Sequence, residues 1–144
     1  MKILLAACNA KYIHSNLAVY DLRAYASAYQ EHILLGEYTI NQTKDEILKD
    51  IYLSGADVVC FSCYIWNISF VRDLLEDLHK ILPDVKFWTG GPEVSFDAEA
   101  FLRRTPQVTG VMVGEGEKTF LELVRYYVDG VGTLSEIPGI AYRE

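Results

Sequence analysis

Five short strand-like runs, each followed by a stretch with helical spacing, constrain this chain more than any other feature. They are Lys2 to Ala7, Leu34 to Ile40, Val58 to Phe61, Val85 to Thr89 and Val108 to Val113. Lys2 to Ala7 in particular forms a continuous apolar run, as expected of a strand buried on both faces. Between them lie amphipathic segments with legible ends. After a loop from Cys8 to His14, Ser15 or Asn16 is placed to cap a first helix whose apolar side carries Leu17, Tyr20, Ala24, Tyr25 and Ala28. Thr43 and Glu46 have the spacing of a capping box ahead of Ile47, Leu48, Ile51 and Tyr52, with Gly55 as the stop. The third helix carries Ile68, Val71, Leu74, Leu75, Leu78 and Leu82 and halts at Pro83. A short helix centred on Ala98 to Leu102 and a fifth helix marked by Phe120, Val124, Tyr127 and Val128 complete the series, and Gly139 to Arg143 fits a short sixth strand.

Strands alternating with helices at this spacing predict an α/β fold: a three-layer, doubly wound parallel sheet of the Rossmann-like, flavodoxin-like type, with right-handed crossovers. The strand order expected is 2-1-3-4-5, with any sixth strand at an edge. In such sheets ligands bind beyond the carboxyl ends of the strands. With 144 residues and no repeat, linker or low-complexity tract, residues 1–144 are expected to form one domain. A net charge of -7, with 13 Lys and Arg scattered among 20 Asp and Glu, argues against a nucleic-acid partner. No apolar run approaches the roughly 20 residues that cross a bilayer, and Lys2 leads into a strand-like run without a cleavage site, so neither a membrane partner nor a signal peptide is expected. Three cysteines fit a reducing cytoplasm better than a disulfide framework.

The predicted strand ends carry the chemistry. Thr89-Gly-Gly-Pro-Glu-Val-Ser95 places adjacent glycines where backbone can approach a ligand closely, although a tight turn asks for the same residues. Gly114 to Thr119 lacks the Gly-Lys-Thr ending of a phosphate-binding loop, since Glu117 precedes Lys118. Glu115 and Glu117 suit a helix N-terminus better than a phosphate. The dinucleotide fingerprint fails because the first loop holds no glycine, and a phosphoacceptor receiver fails because Cys8, Asn9 and Ser62 stand where its acidic residues belong. Cys60 and Cys63 have thioredoxin-like spacing, but Cys60 falls inside a strand, so buried free thiols are expected. His14 lies in the first loop, whereas His32 and His79 fall away from the loop edge. Tyr12, Tyr64 and Trp66 bring aromatics to that edge.

Four stretches taken together carry a resemblance: Lys11-Tyr-Ile-His-Ser-Asn-Leu-Ala18, Phe61-Ser-Cys-Tyr-Ile-Trp-Asn67, Gly90-Gly-Pro-Glu-Val-Ser95 and Gly114-Glu-Gly-Glu-Lys-Thr-Phe120. In this order, at these strand ends, the chain resembles the N-terminal cobalamin (B12)-binding domain of B12-dependent radical S-adenosylmethionine proteins. The resemblance implies cobalamin at the sheet's carboxyl edge with its nucleotide tail in a slot beside the sheet. It implies Ser62 on the tail base, Gly90 and Gly91 against the tail, and Gly114 and Gly116 along the slot. Asn9, Tyr12, His14, Tyr64, Trp66, Asn67, Pro92, Glu93 and Glu115 complete the cofactor-binding set.

Domains that ligate cobalt through histidine carry Asp-x-His-x-x-Gly, whereas here Tyr12 and Leu17 stand at the Asp and Gly positions. An unoriented imidazole is a poor ligand, so His14 is not expected to coordinate cobalt, and no metal ligand is assigned. No catalytic residue is assigned either. The Cys-x-x-x-Cys-x-x-Cys motif of the radical enzymes does not occur in this chain, so S-adenosylmethionine and a [4Fe-4S] cluster are expected only in a downstream domain acting in cis. The expected function is to present cobalamin for methyl transfer or related radical chemistry. The competing reading is a flavodoxin-like protein-interaction domain without cofactor.

Overall fold

The computed structural model describes residues 1–9, 17–114 and 116–143. Strands β1 (Ile3–Asn9), β2 (Ile33–Thr39), β3 (Val58–Ser62), β4 (Lys86–Gly90), β5 (Gly110–Met112) and β6 (Ile140–Tyr142) form one sheet in the order β2-β1-β3-β4-β5-β6. The first five are parallel in the expected order, and β6 adds antiparallel at the edge of β5. Arg143 fastens that edge by donating from Nε to Val108 O and from Nη2 to Thr105 O, each at 3.2 Å.

Helices α1 (Leu17–Tyr25) and α6 (Glu117–Asp129) cover one face of the sheet. Helices α2 (Lys44–Ser54), α3 (Ile68–Ile81), α4 (Pro92–Ser95) and α5 (Ala98–Arg104) cover the other. Side chains alternate between faces along a strand. Leu5, Cys60, Trp88 and Met112 therefore meet Val19 of α1 and Phe120, Leu123 and Val124 of α6. Leu4, Val59, Phe61 and Phe87 meet Ile47 and Ile51 of α2 and Val71, Leu74, Leu75 and Leu78 of α3. Thr43 Oγ1 accepts from Glu46 N at 3.2 Å to start α2, and Gly55, with φ of 69°, ends it.

Several expectations change. The apolar stripe read for α1 is out of phase: Tyr20, Ala24, Tyr25 and Ala28 are exposed, while Val19 and Ala26 are buried. Tyr20 donates to Glu37 Oε2 at 2.7 Å, a use of the phenol that residue type alone does not reveal. The helix ends at Tyr25, and Ser27–His32 is a 3-10 turn. β1 runs to Asn9, beyond the expected Ala7, while β5 is three residues long. Helix α4 stands where a loop was expected, because Pro92 sits in its first turn with φ already set for a helix.

Candidate functional site

The carboxyl ends of the central strands are in register, with Ala7 beside Ser62, Ser62 beside Gly90, and Gly90 beside Met112. Parallel neighbours in register point the same way, so Ser62, Gly90 and Met112 share the face covered by α1 and α6. Ser62 is small and Gly90 has no side chain, so the helices do not close onto the sheet there. A cavity of about 340 Å³ results. Leu5, Cys60, Ser62, Gly90 and Met112 line it from the sheet, Ala18, Asp21 and Leu22 from α1, and Gly116 and Glu117 from the start of α6. Phe61, Tyr64, Gly91 and Gly114 complete the lining.

The two adjacent glycines do different work. A Cβ on Gly91 would lie 2.5 Å from Cys63 O, and its φ is 105°. Cys63 N donates to Gly90 O at 2.7 Å and Glu93 N to Cys63 O at 3.4 Å, so the β3 and β4 loops are stitched together across this residue. Gly91 is therefore required by backbone packing before any ligand is considered. A Cβ on Gly90 would instead meet Met112 Cβ and Cε at 3.6 Å, an ordinary contact, without a positive φ. Gly90 is where absence of a side chain serves the cavity. Gly114 has φ of 78° and nothing within 4 Å of an added Cβ, and Gly116 would meet only Leu22 Cδ2 at 3.7 Å. A cradle of missing Cβ atoms on an apolar floor fits the flat, aromatic end of a ligand.

Ser62 Oγ has no hydrogen-bond partner among the described residues and stays available to the cavity. Asn67, by contrast, is 1% exposed and fully engaged: Oδ1 accepts from Tyr64 N at 2.8 Å, and Nδ2 donates to Cys8 O and Ser62 O, each at 3.0 Å. It ties the ends of β1 and β3 together and does not line the cavity. Trp66 is half exposed and stacks on Tyr64, with ring centroids 4.5 Å apart and planes within 4°. Asn9 is buried at the end of β1, where its carbonyl accepts from Ile40 N at 3.0 Å. Pro92 and Glu93 are exposed on α4, outside the lining. Tyr12, His14 and Glu115 lie outside the described residues, as do the capping candidates Ser15 and Asn16.

The structure thus brings together Ser62, Tyr64, Gly90, Gly91, Gly114 and Gly116 of the expected set. Sequence reasoning missed Leu5, Cys60 and Met112, which strand register against Ser62 and Gly90 would have named. It also missed Ala18, Asp21 and Leu22, which share a helical face at spacings of three and four.

The lining carries two carboxylates, Asp21 and Glu117, and no Lys or Arg among the described residues. Although α6 begins at the slot with no side chain capping its first turn, the carboxylates of Asp21 and Glu117 and the lack of a cation make the slot a poorer fit for a polyphosphate than for a ligand of little charge. Burial pushes the thiols of Cys8 and Cys60 up to about 12, and Cys63 is raised as well, chiefly by burial. A redox dithiol needs a lowered pKa, so Cys60 and Cys63 are structural thiols, free and buried. Among the described residues no His, Cys, Asp and Glu cluster could hold a metal ion, and no helix is long and apolar enough to cross a membrane.

The chain is similar in sequence and fold to known proteins. Over 87 residues, 60% of this chain, it is 30% identical to the cobalamin-dependent radical SAM methyltransferase TokK of Streptomyces tokunonensis. It is 31% identical over 91 residues to the 2-(S-pantetheinyl)-carbapenam-3-carboxylate methyltransferase of Streptantibioticus cattleyicolor. The matched region spans only 13% of the length of each of these relatives. Among solved structures, the apo, cobalamin-dependent S-adenosylmethionine radical enzyme OxsB superposes with a TM-score of 0.76 at 21% identity, covering 99% of this chain and 20% of that one. The model of the B12 binding domain matches residues 3–124, and the chain accordingly belongs to the B12-binding domain family.

Proposed function

We propose that this domain binds cobalamin across the carboxyl edge of the sheet, with the nucleotide tail in the slot beneath α1 and α6, and presents the cofactor to a radical S-adenosylmethionine domain of the same polypeptide. The observation that carries this reading is the glycine-lined cavity at the ends of β3, β4 and β5. It lies where a doubly wound sheet offers a ligand site. Its lining matches the tail's chemistry, since cobalamin is fringed with neutral amides and ends in an aromatic base joined through a single phosphodiester.

In this reading Ser62 offers its hydroxyl to the base, Gly90 lets the tail lie against the sheet, and Gly114 and Gly116 border it. Tyr64, stacked on Trp66, borders the opening. Cobalamin bound there supplies a cobalt centre suited to methyl transfer. The chain's own residues bind it, orient it and exclude water from its tail. S-adenosylmethionine and an iron-sulfur cluster would be held elsewhere in the polypeptide, and residues 1–144 act as one cofactor-bearing module. Buried, unpaired cysteines support a reducing, cytoplasmic setting. The test is to mix the purified chain with hydroxocobalamin, desalt it and record the visible spectrum. Near-stoichiometric retention is expected. A protein that emerges colourless would leave the cofactor-free interaction domain as the better reading.

A further inference from the structure

Ser95 ends helix α4 and does not line the slot, yet its hydroxyl reaches three main-chain groups of residues that do. It donates to Gly91 O at 2.8 Å, accepts from Gly114 N at 3.2 Å and lies 3.5 Å from Met112 O. A serine hydroxyl has one proton and two lone pairs. The short bond to Gly91 O takes the proton, Gly114 N–H occupies a lone pair, and Met112 O receives at most a weak second share. The pairing of β4 with β5 stops at Gly90 and Met112, so beyond that point the strand ladder no longer holds the two loops together. Ser95 takes over where the ladder ends. Both loops pass through glycines at positive φ, 105° at Gly91 and 78° at Gly114. The Gly91 loop is already held by the helical bond from Ser95 N to Gly91 O at 3.1 Å and by its stitching to Cys63, so the hydroxyl acts on Gly114: glycine backbone has more conformations to lose than any other, and a bond that selects one there narrows the ensemble before a ligand arrives.

We propose that Ser95 is a positioning residue for the slot, acting through the backbone of Gly91 and Gly114 rather than by touching the ligand. The part concerning affinity rests on the cobalamin reading above, while the brace itself can be tested without ligand. In Ser95→Ala the Gly114 loop loses its anchor to the Gly91 loop, so part of the binding free energy goes into ordering it.

The test uses wild type, Ser95→Ala and Ser95→Thr, the last retaining a hydroxyl. Ligand-free amide hydrogen exchange is expected to quicken at Gly114 by on the order of tenfold in Ser95→Ala, with Val111 in β5 unchanged and Ser95→Thr close to wild type. Titration with hydroxocobalamin is expected to show a dissociation constant raised on the order of tenfold in Ser95→Ala and largely restored in Ser95→Thr. An unchanged Gly114 exchange rate in Ser95→Ala overturns the brace. Equal affinity in wild type and Ser95→Ala overturns the positioning role. Failure of wild type itself to take up hydroxocobalamin overturns the cobalamin reading, and the affinity role with it, whatever the exchange data show. Exchange that quickens at Val111 as much as at Gly114, and equally in Ser95→Thr, marks a general loss of structure and also overturns the local role.

Discussion

At Asn67 a buried carboxamide serves three main-chain groups, and two of them, Ser62 and Tyr64, belong to residues that line the slot. Truncation would strand Cys8 O, Ser62 O and Tyr64 N in a buried place. Asn67→Ala is therefore expected to lower the free energy of unfolding by about 1–3 kcal/mol, read from urea titration. A variant within about 0.5 kcal/mol of wild type would show that water replaces the side chain. In the sequence Asn67 enters the expected cofactor-binding set only through the resemblance, and nothing local reveals that one of its partners lies 59 residues away. Gly90 and Gly91 make the same point. They are equivalent letters in the chain, and only strand register and the approach of Cys63 O separate the residue that opens the slot from the residue that lets two loops touch.

The central strands β1 and β3 were legible because burial on both faces requires uninterrupted apolar runs. Helix α3 was legible for a similar reason, since its stripe of Val71, Leu74, Leu75 and Leu78 is buried throughout. Helix α1 was not. Its tyrosines count as apolar in a pattern yet lie exposed, Tyr20 with its hydroxyl on Glu37, which shifted the apparent phase and hid Asp21 and Leu22 from the site. The central strands also make a prediction. Cys8 in β1 and Cys60 in β3 are raised from 9.0 to about 12 by burial, so the folded state keeps protons that the unfolded state releases. Their contribution is undiminished below pH about 9, and stability falls as pH rises from there toward about 12, by up to about 1.4 kcal/mol per pH unit for each thiol. Cys60→Ala should flatten that slope in denaturation measured between pH 8 and 10.5. A slope identical to wild type would mean that Cys60 titrates normally in the folded protein.

For the whole molecule, the order of the loops made their meeting at one sheet edge foreseeable, because a doubly wound sheet brings all its strand ends to one side. The wall of the slot formed by α1 and α6 was not foreseeable, since it depends on which helices share a face and on where small side chains hold them off the sheet. That slot is the centre of the functional reading, and Gly90 is the place to test it. Its φ admits a side chain, and an added Cβ meets Met112 at only 3.6 Å, so Gly90→Val should fold while filling the space assigned to the cofactor's tail. The measurement is hydroxocobalamin retention after desalting, made on wild type and Gly90→Val beside thermal unfolding of each without cofactor. Wild type should retain the cofactor, and Gly90→Val should retain at least tenfold less while unfolding within about 5 °C of wild type. A Gly90→Val protein that unfolds like wild type and retains as much cobalamin would contradict the placement of the tail in this slot.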